Sequence, residues 1–240
     1  LILFFFGSVL MRSAGCIVND IVDKDFDKKV KRTKKRPLAA GKISVTQSLF
    51  YVLILWMFAF LILIQFNFFT ICLGIGSMFL AFAYPFMKRI TYWPQLFLGI
   101  TFNWGIIMAW AAINNDVSTE IIILYVSAIF WTLGYDTIYG AQDVSDDEII
   151  GIKSTSIKFK NNINMFVTIC YFFTFLILFF LLRKYLGFNI ATFLFGFFNL
   201  SLIYQILNLK NYKKNNFLKI FKFNNISGLI LFTSILAINL

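Results

Sequence analysis

Apolar residues in this chain come in long runs. Eight of them are about as long as the roughly 20 residues an α-helix needs to cross the hydrocarbon core of a bilayer. They cover 1–18, 47–66, 68–86, 94–114, 119–139, 163–182, 189–208 and 224–240. The pattern predicts an all-α fold, a multi-pass transmembrane helical bundle forming one domain over 1–240. An apolar N-terminal run can also mark a secretory signal, but seven more runs follow and no small-residue cleavage site stands out. The chain opens on Leu1, already inside an apolar run. The expectation is that the domain is truncated at its N-terminus.

Composition agrees with a membrane chain. Sixty per cent of the residues are hydrophobic and 14% are charged, against about 45–50% and 25% in a globular domain. There is no histidine, which excludes imidazole metal sites, haem ligation by imidazole and any triad built on a histidine base. Cys16, Cys72 and Cys170 are isolated in apolar runs. They fit no disulfide or zinc spacing and read as three small core residues.

The net charge of +11 changes the picture, because the charges are not spread evenly. The seven connections between the runs alternate between two sides. Segments 19–46, 87–93, 140–162 and 209–223 share one side and hold 19 of the 22 lysines and arginines. Such loops face the cytoplasm. Nine of the 11 acids lie at the same face in two clusters, Asp20, Asp23, Asp25 and Asp27, then Asp136, Asp143, Asp146, Asp147 and Glu148. Asp116 and Glu120 sit on the opposite side and read as solvated.

If the first helix continues through its cluster, about 100° per residue puts Asn19, Asp23 and Asp27 on one stripe and turns Asp25 away. Arg12 falls near the same stripe, about 16 Å deeper, and an intramembrane arginine is costly enough to suggest function. The same arithmetic places Asp136, Asp143 and Asp147 on one stripe with Tyr139 nearby, unless Gly140 ends that helix. Carboxylates facing each other across a helix-lined mouth repel unless cations lie between them. An all-oxygen set suits a hard cation, Mg²⁺ in particular, which proteins often hold through one or two carboxylates plus substrate phosphates. Lys24, Lys28, Arg32, Lys88, Arg89 and Lys153 add charge for a polyanion. The constellation reads as a metal–diphosphate site at the end of an apolar cavity, with a lipid diphosphate as its ligand. Taken singly, each piece has a plainer reading. Acids four apart are often a solvated face, and the basic run from Lys28 to Arg36 anchors topology against anionic lipid. Coincidence of two acid clusters, on one side and at helix ends, favours the site.

At these residues the chain resembles the UbiA superfamily of intramembrane prenyltransferases. Asn19, Asp20, Asp23 and Asp27 match its NDxxDxxxD motif, inside the string from Met11 to Asp20. The run from Tyr135 to Asp147, followed by Gly151, Ile152, Lys153, Ser154 and Thr155, is similar to its second motif. Arg36-Pro37-Leu38 and the stretch from Tyr84 to Arg89 are similar too, and the longer strings favour the branch whose acceptor is 4-hydroxybenzoate. The resemblance extends along essentially the whole chain. It implies nine helices in a full-length member, of which eight are visible here. Gly140 stands where relatives often have alanine.

The resemblance implies Mg²⁺-dependent transfer of a polyprenyl group from polyprenyl diphosphate to the ring carbon ortho to the hydroxyl of 4-hydroxybenzoate, in ubiquinone synthesis. Asn19, Asp23 and Asp27 would hold one Mg²⁺, and Asp143 and Asp147 the other, with Asp23, Asp143 and Asp147 central to catalysis. Lys88, Arg32 and Lys153 would contact diphosphate, and Tyr139 lies on the substrate side. The resemblance and a buried position assign Arg12 to the acceptor's carboxylate. Partners are the two substrates and membrane lipid, with no nucleic acid, in a bacterial inner membrane with the site facing the cytoplasm. The same motifs serve haem, chlorophyllide or naphthoate acceptors, and acids at helix ends also occur in cation-coupled transporters.

Overall fold

The computed structural model describes residues 1–30, 33–209 and 217–238. Among these, eight helices are long and apolar enough to cross a membrane, and all eight overlap the apolar runs. The elements are α1 (Ile2–Asp27), α2 (Val45–Leu63), α3 (Phe68–Ile90), α4 (Pro94–Phe102), α5 (Trp104–Asn114), α6 (Thr119–Gly140), α7 (Val144–Ile150), α8 (Thr155–Lys158), α9 (Ile163–Leu182), α10 (Ile190–Leu209) and α11 (Phe217–Ala237). The chain is an integral membrane protein of all-α fold.

Helix starts follow their local chemistry. Ser44 and Gln47 form a reciprocal capping box on α2, the Asn67 side chain accepts from Thr70 N–H on α3, and Ser118 accepts from Ile121 N–H on α6. Each satisfies a backbone donor that the first turn leaves without a partner. Proline at the first position opens α4. The fourth crossing breaks at Asn103, whose side-chain amide donates to Gly99 O at 2.8 Å and to Thr132 Oγ1 at 2.8 Å. One side chain thus serves the broken backbone and ties the crossing to α6.

Chain neighbours pack as α1 on α2, α3 on α4, α6 on α9 and α10 on α11, with α6 also meeting α4, α5 and α11. The dry core belongs to α6, α9, α10 and α11, around Ile138, Tyr171, Leu178, Phe198 and Leu202. Gly134 lets α6 and α9 approach, since a Cβ there would sit 2.5 Å from the Tyr171 ring. A buried polar chain runs through this half. Tyr171 Oη donates to Gln205 Oε1 (2.7 Å), Asn224 Nδ2 donates to the same oxygen (3.0 Å), and Trp131 Nε1 donates to Asn224 Oδ1 (3.0 Å). Without water in the hydrocarbon, such groups must find partners in other helices, and this fixes their register.

Three sequence expectations change. The first helix continues nine residues past its apolar run and the last begins seven earlier, because a run marks the lipid-embedded part while tertiary partners hold the rest. Cys170 is buried, but Cys16 and Cys72 are exposed. In a bundle whose helices turn a face to lipid, an apolar residue need not be in the core. The second acid stripe is not one helix. Helix α6 stops at Gly140; at its end the Thr137 carbonyl accepts from both Ala141 N–H (3.1 Å) and Ser156 Oγ (2.7 Å), and the Tyr139 carbonyl accepts from the Gln142 side chain (2.9 Å). The next backbone N–H groups reach back three residues, Gln142 to Tyr139 and Asp143 to Gly140. Asp143 then stands at the N-cap position of a separate helix, α7, its backbone carbonyl accepting from Asp147 N–H at 2.8 Å.

Candidate active site

Helix α1 reaches the basic face with its acids inside the last two turns. Asp23 and Asp27 are buried, Asn19 and Asp20 partly so, and the Asp25 side chain is 87% exposed. The helical period predicted that division. The loop after α1 returns Arg36, whose Nη1 bonds both Asp20 Oδ1 at 2.8 Å and Asp27 Oδ2 at 3.0 Å. Thr33 Oγ1 donates to the Asp27 carbonyl at 3.1 Å and closes the helix end. From α3, Lys88 pairs with Asp23 Oδ2, and Arg89 donates to the Val22 carbonyl at 2.7 Å. The other oxygen, Asp23 Oδ1, is buried with no hydrogen-bond partner.

The second cluster is joined to the first through α3. Asp147's carbonyl accepts from Ile152 N–H at 3.0 Å, and Lys153 N–H donates to the Lys88 carbonyl at 2.9 Å. Lys88 therefore holds the first acid motif by its side chain and the chain leaving the second by its backbone. Lys153 Nζ bonds the Ile90 carbonyl at 3.1 Å and lies 5.7 Å from the Tyr92 ring centroid, so it caps α3 at the rim. Acids at the start of α7, Asp146 and Asp147, meet the positive end of the helix dipole. Gly151, in the left-handed region at φ 79°, ends α7 and turns the chain back. Beneath lies a polar knot that sequence reasoning missed. Thr137 and Thr155 hydroxyls meet at 2.6 Å, and Gln95 Oε1 accepts from Thr155 N–H at 3.0 Å. Its only signal was the resemblance of the strings containing Thr137 and Thr155. Arg36, named only as an anchor and in a string, likewise proves to bind two motif acids.

The remaining expected residues fall in two places. Tyr139 packs on Phe221 of α11, ring centroids 4.6 Å apart. Arg12 is exposed, against the expectation of burial. Its guanidinium lies 5.7 Å from the centroid of the Phe102 ring of α4. Arg32 lies outside the described residues. Two apolar grooves lie away from the acids, one of about 440 Å³ between α10 and α11, the other of about 360 Å³ between α1 and α2. Among the described residues no three acids or thiols already converge as a metal cage. The donor set nonetheless fits a hard cation, being all oxygen with one buried carboxylate oxygen bare.

The model of the UbiA prenyltransferase family matches residues 1–226. A 4-hydroxybenzoate octaprenyltransferase of Francisella tularensis subsp. mediasiatica is 41% identical over 235 residues, covering 97% of this chain and 82% of that protein. The mitochondrial 4-hydroxybenzoate polyprenyltransferase of Homo sapiens is 50% identical over 161 residues, 67% of this chain and 43% of that protein. The chain thus matches less than half the length of its mitochondrial relatives. Among solved structures, a UbiA homologue from Aeropyrum pernix K1 superposes with a TM-score of 0.86 at 26% identity, covering 100% of this chain and 89% of that one. A UbiA homologue from Archaeoglobus fulgidus, solved bound to GPP and Mg²⁺, has the same fold, with a TM-score of 0.71 at 16% identity, covering 100% and 87%.

Proposed function

This chain belongs to the UbiA prenyltransferase family, and on that premise we propose that it transfers a polyprenyl group from polyprenyl diphosphate to the carbon ortho to the hydroxyl of 4-hydroxybenzoate, a step of ubiquinone synthesis. The observation that carries the reading is the bare, buried Asp23 oxygen beside Lys88, with the second acid motif tied to the same lysine. Relatives named for this acceptor support it.

Asn19, Asp23 and Asp27 would hold one Mg²⁺, and Asp143 and Asp147 a second. The Archaeoglobus neighbour solved with GPP and Mg²⁺ lends support. Bound there, the ions would supply Lewis-acid stabilisation of charge on the leaving diphosphate. Arg36 holds Asp20 and Asp27 in place, and Lys88 fixes Asp23 while adding positive charge at the mouth. Lys153 supplies a further cationic group at the rim, and Arg32 would add its charge to the diphosphate. Tyr139, and the aromatic rings lining the interior, exclude water and stabilise positive charge developing on the allylic carbon. Arg12 holds the acceptor's carboxylate. The carbon–oxygen bond of the diphosphate breaks, its electron pair leaving with diphosphate, and the electron-rich ring forms the new carbon–carbon bond.

The site faces the cytoplasm of a bacterial inner membrane in this reading, a placement supported by the basic loops on one face. Membranes containing the chain should transfer label from 4-hydroxybenzoate into lipid in a Mg²⁺-dependent reaction that Asp23→Ala or Asp147→Ala abolishes. Transfer that survives both substitutions would remove the metal-site assignment.

A further inference from the structure

The second acid motif is carried on a segment whose two ends meet. Residues 141–154 leave the end of α6 and return to the start of α8, with α7 between them. At the base, Thr137 and Thr155, 18 residues apart in sequence, bring their hydroxyls to 2.6 Å, and Ser156 Oγ donates to the Thr137 carbonyl at 2.7 Å. The Thr137 hydroxyl gives its one proton to the Leu133 carbonyl at 2.7 Å, so Thr155 is the donor of the pair. Gln95, in the first turn of α4, accepts from Thr155 N–H at 3.0 Å. All four of these residues are buried. Gly140 leaves the space they need, since a Cβ there would sit 2.5 Å from Ser156 Oγ.

The returning end is also fixed along the junction of α3 and α4. Lys153 N–H bonds the Lys88 carbonyl at 2.9 Å and Lys153 Nζ the Ile90 carbonyl at 3.1 Å, two residues before Gln95 takes Thr155. The segment is thus clasped to the helix that holds Asp23 through Lys88. The other buried network differs in kind. Tyr171, Gln205 and Asn224 join side chain to side chain between long helices, whereas here bonds end on backbone groups at the two hinges of one segment.

Asp143, Asp146, Asp147 and Glu148 stand within six residues of chain. Their charges repel, so the segment has no electrostatic reason to hold them together before a cation arrives. Ligands held ready bind better than ligands that must first be ordered. A clasp away from water supplies that order, because its groups have no other partners to turn to.

We propose that Gln95, Thr137, Thr155 and Ser156 are positioning residues for the cation site, their clasp setting where Asp143 and Asp147 stand relative to Asp23 and Lys88. The proposal rests on the assignment of those two acids to Mg²⁺ above and deepens it by naming what places them.

The test uses purified full chain in detergent, with Mn²⁺ as the probe of a hard-cation, oxygen-ligand site. Thr155→Val removes the hydroxyl and keeps the shape, and Thr155→Ser puts the hydroxyl back. By electron paramagnetic resonance, Thr155→Val should weaken about 10-fold the Mn²⁺ binding that Asp147→Ala abolishes, the low end for groups that orient metal ligands. Hydrogen exchange over 141–154 should quicken about 5- to 10-fold, as loss of one hydrogen bond implies, with α9 and α10 unchanged. Thr155→Ser should return both to wild type. Tyr171→Phe breaks the buried bond to Gln205 and should lower the unfolding midpoint while leaving Mn²⁺ affinity unchanged. Wild-type Mn²⁺ affinity in Thr155→Val would overturn the proposal. So would an equal loss in Tyr171→Phe, since the clasp would then be one more structural contact. Ser156→Ala keeps the test decisive if Thr155→Val does not fold, because the Thr137 carbonyl retains Ala141 N–H at 3.1 Å; wild-type affinity and exchange in that variant would overturn the proposal too. Wild-type protein that binds no Mn²⁺ would overturn the cation assignment made above, while exchange over 141–154 in Thr155→Val would still judge the clasp.

Discussion

Replacing Lys88 by methionine keeps most of the side chain and removes its charge. Lys88 and Asp23 are 65 residues apart in sequence, with side chains 20% and 4% exposed. Asp23 Oδ1 has no partner of its own, so the substitution leaves a buried carboxylate with both oxygens bare. Breaking a buried ion pair from one side costs about 3–5 kcal/mol. The partial exposure of Lys88 admits some water to the vacated position, which favours the lower end, about 3 kcal/mol. Asp23→Asn removes the charge that needs a partner, so the double variant should be little less stable than Asp23→Asn alone. A double-mutant cycle should therefore give a coupling of about 2–3 kcal/mol. The assay is unfolding of the purified variants in detergent micelles, without and with Mg²⁺. If Asp23 is a cation ligand, Mg²⁺ should stabilise Lys88→Met by about 2.7 kcal/mol at 100 times that variant's dissociation constant, and wild type by less at the same concentration. Stabilities additive within about 0.5 kcal/mol would refute the pairing, and equal Mg²⁺ effects on both proteins would refute the ligand role.

Three other outcomes follow from the same contacts. Gly134→Ala drives a methyl group into the buried Tyr171 ring and strains its bond to Gln205. It should cost about 1–3 kcal/mol of stability in the same unfolding assay, and an unchanged midpoint would show that α6 and α9 are not so close. Arg12→Ala should raise KM for 4-hydroxybenzoate about 10-fold or more, with KM for polyprenyl diphosphate unchanged; steady-state kinetics showing equal rises would count against the acceptor role. Asp25, whose contact to Lys28 at 3.1 Å lies in solvent, should tolerate asparagine without loss of stability or transfer, although it stands in the middle of the first motif. A large loss in either measurement would mean that the stripe has been drawn on the wrong face.

Much of this molecule was readable from one dimension. The apolar runs located eight crossings, and the spacing of Asn19, Asp23, Asp27 and Asp25 separated the buried face of α1 from the solvated one. Both depend on helical geometry over a few turns, which nearby residues determine. Where that geometry was extended across Gly140 it failed. Beyond it the backbone bonds reach back three residues, and a Cβ on Gly140 would meet Ser156 Oγ, which arrives from a later turn of the chain. Arg12 was identified by its cost inside an apolar run. That it is exposed and lies over the Phe102 ring was not legible, because Phe102 belongs to a helix far away in sequence.

By itself, then, the sequence determined the crossings, the sidedness of the charges and the acids of α1 that turn inward, since each follows from hydrophobic length or helical period. Tertiary structure alone decided that Arg36 serves Asp20 and Asp27, and that Lys88 holds Asp23 by its side chain and the exit from the second motif by its backbone. Charge pairs are chosen by which groups are buried together. That choice depends on helix packing, which no local periodicity encodes.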